Sequence, residues 1–340
     1  MEKTTDTNNE ILMLGTGGVS DAVRLVLPGR ELSKEGYKVT IRSMGELRPH
    51  EALGFISKLD LDRYSIAVYS RPSSPESVKF LQDHGLYVIV DLDDDFHSIP
   101  THHPGYKWVG RGNPRYLEAV EQCVELADEL TVTTVSLRDR WQGEAKQVKV
   151  IPNGWSRDNP FWNFRYSRLT VNVGWAGTIT HRFDFQLVRD AIKRIARKHK
   201  DIVFVIAGDP DIYIQLDKVP EKQKLFLPHV SYEEYPHTLA YFDILLAPLL
   251  DDEFNNYKSD IKLVDAGAAS IPYIASPLQE YISWRDGGLY ALGIDEWEDA
   301  ILELASSLDK REELGSLGHA RCQMREMSNL IWNWKEVLIG

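Results

Sequence analysis

The feature that most constrains the fold is a repeated alternation of short apolar runs with longer amphipathic stretches. The runs "EILMLGT", "KVTIRSM", "YSIAVYS", "LYVIVDL" and "ELTVTTV" are separated by stretches with helical spacing, such as "PESVKFLQDHG" and "RYLEAVEQCVELADE". Short, nearly continuous apolar strands that alternate with helices are typical of a parallel sheet covered on both faces. The first half therefore predicts one doubly wound α/β domain.

The segment "VKVIPNGWSRDNPFWNFRYSRL" interrupts this alternation with a Pro-Asn-Gly turn and a polar, aromatic stretch, as a connection between domains does. The alternation then restarts with "TVNVGWAGT", "FDFQLVRDAIKRIARKHK", "IVFVIAGD", "FDILLAPL" and "PYIAS". A chain of 340 residues has room for about two such domains. We predict an α/β fold of two doubly wound domains, residues 1–152 and 153–322, that face each other across a cleft.

Composition narrows the class of protein. The 39 basic and 51 acidic side chains give a net charge of −12, which disfavours a general polyanion binder. The two cysteines match no zinc or redox spacing, so reduced core thiols are expected. No apolar run approaches about 18 residues, and "MEKTTDTNNE" does not resemble a signal peptide. A cytoplasmic soluble protein is the expectation.

Glycine-containing loops follow the first predicted strand of each domain. "GTGGVS" holds Gly17 and Gly18, and "GWAGTITH" holds Gly177. Such a loop lets main-chain N–H groups approach an anion closely, although a tight turn would also need glycine. Ser20 replaces the third glycine of the dinucleotide fingerprint, and Arg42 ends the second strand. A nicotinamide-dependent oxidoreductase therefore fits poorly.

The stretch "NNYKSDIKLVDAGAASIPYIAS", residues 255–276, places charges on a predicted short, buried helix. Helical spacing counted from Ser259 gives two stripes, because positions i, i+4 and i+7 share a face. These are an apolar stripe of Ile261, Val264 and Ala268 and a neighbouring stripe of Lys258, Lys262 and Asp265.

The second half resembles the nucleotide-sugar-binding half of a GT-B glycosyltransferase, most similar to glycosyltransferase family 4. "VKVIPNGWS", "VGWAGTITHRFDF", "DIVFVIAGD", "VSYEEYPHTLAYFDILLAPL" and "KSDIKLVDAGAASIPYIAS" occur in that order over roughly residues 147–285. The resemblance implies transfer of a hexose-type sugar from a nucleoside diphosphate to an acceptor hydroxyl, with retention, by closure of two halves and without a metal cofactor. It also implies that "SNLIWNWKEVL", within residues 323–340, forms a helix that crosses back to the first domain.

The resemblance assigns roles to individual residues. Asp265 stands where the family has the glutamate that holds the ribose hydroxyls, whereas Tyr257 replaces the other family glutamate. "KSDIK" resembles a stretch of surface-polysaccharide enzymes, which implies that Lys258 or Lys262 neutralises the leaving diphosphate. The other implied donor-binding residues are Gly17, Gly18, Gly177, Thr178, Thr180 and Val230.

The stretch "VDLDDDFHSIPTHHP" places four aspartates, between Asp91 and Asp95, at the end of a predicted strand. They superficially resemble the metal motif of a different glycosyltransferase fold, which two alternating halves contradict. In family 4 a cleft histidine often follows this strand. We therefore expect His97 or Asp95 to handle the acceptor hydroxyl; otherwise the aspartates only cap the next segment.

Other functions stay open at this point. They are a sugar-nucleotide epimerase of the same fold, a non-catalytic nucleotide-sugar-binding subunit, and an enzyme that modifies DNA bases, which the acidic charge disfavours. The basic helix around Arg189–Lys200 is interpreted as an amphipathic outer helix, with a peripheral membrane contact as the alternative. The expected partners are a nucleotide-sugar donor and a carbohydrate or other hydroxyl acceptor; nucleic acid is not expected.

Overall fold

The computed structural model describes residues 10–45, 47, 49–166 and 169–339, without the side chains of residues 49 and 50. By their contacts, these residues divide into two compact units. Unit 1 falls within Met1–Ser156, Tyr257–Ser259 and Glu326–Gly340, and unit 2 within Arg157–Asn256 and Asp260–Arg325. Each unit is built on a parallel six-stranded sheet with helices packed against it, which confirms the predicted α/β fold class.

The sheet of unit 1 has the strand order β2-β1-β3-β4-β5-β6, and all neighbours are parallel. Its strands are β1 Glu10–Gly15, β2 Val39–Ser43, β3 Tyr64–Ser70, β4 Tyr87–Leu92, β5 Glu129–Val132 and β6 Val148–Val150. Alternate residues of each strand point to opposite faces, so Ile11 and Met13 join one buried cluster while Leu12 and Leu14 join another. The nearly continuous apolar runs in the sequence follow from this burial on both faces.

The helices of unit 1 begin at recognisable caps. Ser74 and Asn113 each accept a hydrogen bond from a main-chain N–H of the first turn, and a proline follows each of them. The helices are α1 Val19–Asp21, a π-helical turn Ala22–Val26, α2 Leu27–Lys34, α3 Pro49–Ile56, α4 Pro75–Asp83, α5 Tyr106–Val109, α6 Pro114–Leu126, α7 Val135–Trp141 and α15 Met327–Ile339. Ile331 and Trp334 of α15 belong to the same buried cluster as Ile11 and Met13.

The sheet of unit 2 has the strand order β12-β11-β10-β7-β8-β9, again parallel throughout. Its strands are β7 Val171–Gly177, β8 Ile202–Gly208, β9 Lys224–Pro228, β10 Ile244–Ala247, β11 Tyr273–Ala275 and β12 Gly288–Tyr290. The direction of the strand order reverses between β7 and β10. In doubly wound sheets, ligands bind at the carboxyl ends of the strands on either side of such a reversal.

The helices of unit 2 are α8 Gln186–Lys198, α9 Pro210–Ile214, α10 Tyr235–Leu239, α11 Ile261–Ala268, α12 Gln279–Ile282, α13 Ile294–Ser306 and α14 Leu308–Cys322. Helix α8 is amphipathic, as predicted: Val188, Ile192 and Ile195 are buried, and its basic side chains lie on another face. Several of those cations pair with carboxylates, for example Lys193 with Asp217 at 2.7 Å.

The predicted start of the charged helix is wrong. Helix α11 begins at Ile261, after Asp260, so Lys258 precedes the helix and does not share a stripe with Lys262 and Asp265. Helical spacing failed here because the side chains of residues 258 and 259 make hydrogen bonds within unit 1. Ile261 is only half-buried, whereas every residue from Leu263 to Ala268 is buried.

Candidate functional site

Lys262 and Asp265 lie together on α11, beside the point where the strand order of unit 2 reverses. The Lys262 ammonium donates a 2.5 Å hydrogen bond to the main-chain oxygen of Ala176, near the carboxyl end of β7. It also lies 5.4 Å from the centre of the Trp175 ring. Asp265 follows about one turn along the helix and is only 4% exposed. Unit 2 therefore places an ammonium and a buried carboxyl group near one strand end.

The Asp265 carboxyl group is only partly satisfied. Its Oδ1 atom is buried and makes no hydrogen bond of normal geometry with any described residue, and the same holds for the Tyr232 hydroxyl, which nevertheless lies close enough to interact with the carboxyl group. Burial raises the pKa of Asp265 to about 7, although the Lys262 charge and the Tyr232 hydroxyl oppose that shift. Buried polar atoms in native proteins are nearly always paired. These two neighbouring groups are therefore candidate contacts for a polar ligand in unit 2.

The loop after β7 carries the predicted Gly177, Thr178 and Thr180. A short 3-10 helix, Ile179–His181, follows the strand directly. A Cβ atom on Gly208, whose φ is +107°, would lie 2.0 Å from the Gly177 oxygen, so the ends of β7 and β8 approach as closely as only glycine permits. The Thr178 and Thr180 hydroxyls are 2.7 Å apart, and Thr178 is exposed. The loop therefore presents hydroxyl groups at the carboxyl end of β7.

A hydrogen-bond network fixes this loop against the segment after β10. His181 Nδ1 lies 2.8 Å from Asp184 Oδ2. The other carboxylate oxygen of Asp184 accepts hydrogen bonds of 2.9 Å from Leu250 N and from Asn255 Nδ2. The predicted Val230 lies after β9, two strands from β7, and is half-buried.

The first glycine loop lies in unit 1, where the protein itself supplies a carboxylate. Gly17 and Gly18 have φ values of +92° and +99°. Gly17 N donates a 2.6 Å hydrogen bond to Asp21 Oδ2, and Gly17 O accepts one of 2.7 Å from Arg71 Nη2. The Gly17 amide that a bound anion would use is therefore occupied by the Asp21 side chain.

A mixed cluster of charges surrounds that loop at the carboxyl ends of β3 and β4. Arg71 Nη2 lies 3.6 Å from Asp21, and Arg71 Nε lies 3.9 Å from Asp93. Burial alone would raise the pKa of Asp93, but the Arg71 guanidinium holds it below its usual value. The Lys258 ammonium lies 3.0 Å from Asp94 Oδ1; burial raises the pKa of Asp94 despite that contact.

The segment Tyr257–Ser259 is held by three successive hydrogen bonds within unit 1. The Thr134 hydroxyl donates to Tyr257 O at 3.1 Å, Lys258 donates to Asp94, and Asn153 Nδ2 donates to Ser259 Oγ at 2.8 Å. Lys258 thus belongs to unit 1 and Lys262 to unit 2. The structure separates the two lysines that the sequence had grouped.

A buried ion pair lies under the same edge of unit 1. Arg24, which is 1% exposed, donates from Nε and Nη2 to the two oxygens of Asp91 at 3.0 and 2.6 Å. Its remaining nitrogen, Nη1, donates to Ile151 O at 2.5 Å and to Asn153 Oδ1 at 3.2 Å. Asp91 is therefore a structural counter-ion of Arg24.

His97 lies between two carboxylates in the 3-10 turn Phe96–Ser98. Its Nε2 is 2.7 Å from Glu121 Oε1, and its Nδ1 is 3.4 Å from the buried Asp95. Interaction with Asp95 raises the pKa of His97, burial opposes the shift, and Glu121 reinforces it. The Arg140 guanidinium lies 3.8 Å from the same Asp95 oxygen. This environment favours the protonated imidazolium.

The structure therefore groups the predicted residues into two sets. Unit 2 holds Lys262, Asp265, Gly177, Thr178, Thr180 and Val230, and unit 1 holds Lys258, Asp95, His97, Gly17 and Gly18. Sequence reasoning missed Tyr232, Arg71 and Glu121. The clearest available signal was the aromatic pair in "VSYEEY", directly after Val230. For Arg71 and Glu121 the contacts are tertiary, and no local motif marks them.

Two features are absent from the described parts of the chain. Among those residues, no group of three or more His, Cys, Asp or Glu side chains is arranged to hold a metal ion. None of the described helices combines the length and the apolar character that crossing a membrane requires.

Solved structures share the fold over nearly the whole chain. Sucrose-phosphate synthase from Thermosynechococcus elongatus matches with a TM-score of 0.70 and 13% identity, over 97% of this chain and 98% of that chain. The structure described as trehalose-6-phosphate from E. coli bound with UDP-2-fluoro glucose matches with a TM-score of 0.70 and 12% identity, over 97% and 99%. A protein from Listeria monocytogenes, described as a suggested UDP-N-acetylglucosamine 2-epimerase, matches with a TM-score of 0.61 and 10% identity, over 95% and 93%.

These similarities establish the fold class, which is the GT-B fold of two Rossmann-like α/β units. Within it, residues 170–307 match the family model described as Glycosyl transferases group 1. That region lies in unit 2 apart from residues 257–259, and it includes β7, the loop after β7, Tyr232 and α11. No curated protein sequence matches the chain.

Proposed function

We propose that the protein is a glycosyltransferase that moves a hexose-type sugar from a nucleoside diphosphate to an acceptor hydroxyl with retention. We further propose a family 4-like enzyme of surface-polysaccharide assembly, as the "KSDIK" stretch suggests. One observation carries the proposal. The buried Asp265 carboxyl group, with an unpaired oxygen, lies beside Lys262 in the region that matches the glycosyl transferases group 1 model.

The donor nucleoside is assigned to Asp265 and Tyr232. An ionised carboxylate can accept hydrogen bonds from both ribose hydroxyls, and a phenol can donate one and accept another. A ribose would then supply the well-aligned hydrogen-bond partners that these two groups lack. The loop with Gly177, Thr178 and Thr180 is assigned to the diphosphate, and Val230 to the nucleoside.

The leaving diphosphate is assigned to Lys262. As the glycosidic C–O bond breaks, its electron pair passes to the diphosphate oxygen, and an ammonium placed there stabilises the growing charge. The acceptor oxygen bonds to the same face of the sugar, and its proton passes to a leaving phosphate oxygen. Exchanging the neutral Ala176 oxygen for a phosphate oxygen would give Lys262 a charged partner. Lys258 is already paired with Asp94, so we assign it to fixing the segment Tyr257–Ser259 within unit 1.

The acceptor is assigned to Asp95 and His97 in unit 1. Because its carboxylate neighbours raise the pKa of His97, they favour its protonated form, which donates a hydrogen bond to a substrate oxygen. Asp95 orients the ring from the Nδ1 side, which leaves Glu121 as the partner that a substrate oxygen would replace at Nε2.

An epimerase and a non-catalytic nucleotide-sugar-binding subunit are the alternatives. Tyr257 stands where family 4 has its first glutamate, and its main-chain oxygen is bonded to Thr134 within unit 1. The Listeria neighbour shows that the same fold is also associated with a suggested epimerase. Donor incubated without acceptor separates these functions, because an epimerase changes the sugar configuration and a binding subunit leaves the donor intact.

The test is a thermal-shift screen against UDP-, GDP-, ADP- and dTDP-sugars, followed by turnover assays with the donor that binds. A ligand that binds the native state raises the apparent stability, and the shift grows with concentration. We expect one nucleotide class to raise the Tm of wild-type protein but not of Asp265→Ala. Transfer should persist in EDTA, since lysine and loop groups are assigned to the diphosphate. Absence of any shift, or turnover restored only by Mg²⁺ or Mn²⁺, would contradict the proposal.

A further inference from the structure

A basic loop follows β4 in unit 1. From Phe96 to Leu117 the sequence contains no aspartate or glutamate, although the chain carries a net charge of −12. We call residues 101–115 the basic loop. Its cationic side chains Lys107, Arg111 and Arg115 are exposed. Local positive charge on an acidic protein marks a surface that can meet an anionic partner.

The same loop displays a tryptophan to solvent. Trp108 is 73% exposed and lies on the short helix α5. The main chain around it is fixed: Asn113 Nδ2 donates to Trp108 O at 2.9 Å, and Gly112 N donates to Tyr106 O at 3.1 Å. A Cβ atom on Gly112 would lie 2.8 Å from that Tyr106 oxygen, so the turn requires the close approach that glycine allows. Because the turn is already ordered, little conformational entropy is lost when it binds.

We propose that the basic loop docks on the surface of an anionic lipid bilayer. Trp108 would lie at the level of the headgroups, where amphipathic indole rings are enriched, and Lys107 and Arg115 would lie against lipid phosphates. A nucleic acid fits less well. Single strands are bound by several stacking aromatic residues along a basic groove, whereas this loop exposes one tryptophan.

Two other surfaces of the protein lack this combination and supply matched controls. Trp332 on α15 is 70% exposed, but its neighbour Lys335 pairs with Glu35 at 2.6 Å. Helix α8 is basic, but Arg194 pairs with Asp295 at 2.6 Å and Lys198 lies 3.3 Å from Glu298. Both control surfaces therefore carry acidic groups beside their cations, whereas the sequence from Phe96 to Leu117 contains none.

The test is co-sedimentation of the full chain with phosphatidylcholine vesicles, with and without phosphatidylglycerol. We expect binding only to vesicles that contain phosphatidylglycerol, and release as NaCl is raised. Since one cation near an anionic surface contributes about a fivefold change in partitioning, Lys107→Glu/Arg115→Glu should weaken binding at least about tenfold. Trp108→Ala should also weaken it. Trp332→Ala and Arg194→Glu/Lys198→Glu should bind like wild type.

Several results would overturn the proposal. They are no binding to any vesicle, equal binding to pure phosphatidylcholine, and equal losses in the control variants. Binding to duplex DNA that depends on Lys107 and Arg115, without binding to vesicles, would instead make the loop a nucleic-acid site. No sugar donor is present in the assay, so its outcome is independent of the proposed glycosyl transfer. Circular dichroism of each variant separates loss of binding from loss of fold.

Discussion

Asp265 illustrates at the scale of one residue how a binding group can weaken the fold that carries it. Its pKa of about 7 exceeds the usual carboxyl value of about 3.9, so the folded state holds this proton more tightly than the unfolded state. The stabilisation from the bound proton is complete below about pH 4 and is lost as the pH rises to about 7. Above that pH the folded protein carries a buried charge at a constant cost.

The first prediction is that Asp265→Asn stabilises the free protein at pH 8 and weakens its ligand binding. The amide keeps the shape but cannot ionise, so the free energy of unfolding should rise by about 2–4 kcal/mol at pH 8 and be nearly unchanged at pH 4. Urea denaturation at both pH values measures this difference. Calorimetry should show wild-type affinity for the cognate nucleotide sugar rising between pH 6 and 8, and a flat profile for the variant. A destabilised variant with unchanged affinity would contradict both expectations.

The second prediction separates the two lysines of "KSDIK". Lys262→Ala should lower kcat by about 10²–10³-fold while changing donor affinity much less, because its charge matters most as the diphosphate leaves. Lys258→Ala is the matched control, since Lys258 pairs with Asp94 in unit 1. Steady-state kinetics at saturating donor would refute the assignment if Lys258→Ala lost turnover and Lys262→Ala did not.

The third prediction concerns His97. His97→Ala should reduce transfer by about 10²-fold or more, as for other positioned acid–base groups, and should leave nucleotide affinity unchanged. Glu121→Gln removes the charge beside Nε2, so the pKa of His97 should fall toward its usual value and the alkaline limb of the rate profile should move to lower pH. If His97→Ala transfers sugar at the wild-type rate, the His97 side chain has no role in transfer and only contacts its own loop.

At the scale of elements, the π-helical turn Ala22–Val26 holds its arginine against β4. Arg24 donates four hydrogen bonds to Asp91, Ile151 and Asn153, so its removal leaves a buried carboxylate without its counter-ion. Arg24→Met should lower the free energy of unfolding by about 3–5 kcal/mol, and adding Asp91→Asn should restore part of that loss. A double variant as unstable as the sum of the single changes would show that the two residues act independently.

The elements also show which features the sequence can predict. Strands β1, β3, β4, β7, β8 and β10 are buried, and their apolar runs predict them directly. The edge strands β9 and β12 were not predicted because they are short and half-exposed and contain residues such as Lys224, Pro228 and Gly288. Periodicity predicts that the helix at Ile261 starts at Ser259, because it does not reveal that Asp94 and Asn153 bind the residues before the helix.

The candidate site likewise contains some residues that the sequence predicts and others that it does not. Asp265 and Lys262 could be proposed from one stretch of sequence, because they lie on one short helix. Tyr232, Arg71 and Glu121 could not, because their roles arise from contacts between segments that are distant in the sequence.

At the scale of the whole molecule, unit 1 depends on helix α15. Ile331, Trp334 and Val337 lie in the same buried cluster as Ile11 and Met13, and the Trp334 ring lies 5.3 Å from the Arg24 guanidinium. A chain ending at Arg325 should lose the calorimetric unfolding transition of unit 1 and retain that of unit 2. The Tm of the retained transition should still rise when the cognate nucleotide is added. Trp332→Ala, a change on the exposed side of α15, should keep both transitions.

This discontinuous composition also sets an order of events on the ribosome. The strands β1–β6 of unit 1 leave the exit tunnel first, but the helix that covers Ile11 and Met13 is synthesised only after all of unit 2. Because synthesis adds about 5–20 residues per second, the apolar face of the first sheet stays uncovered for many seconds before α15 is made. Unit 2 can therefore complete its hydrophobic core before unit 1 does, although most of unit 1 is synthesised first. The nascent first sheet is therefore the part of this chain on which a chaperone would be expected to act.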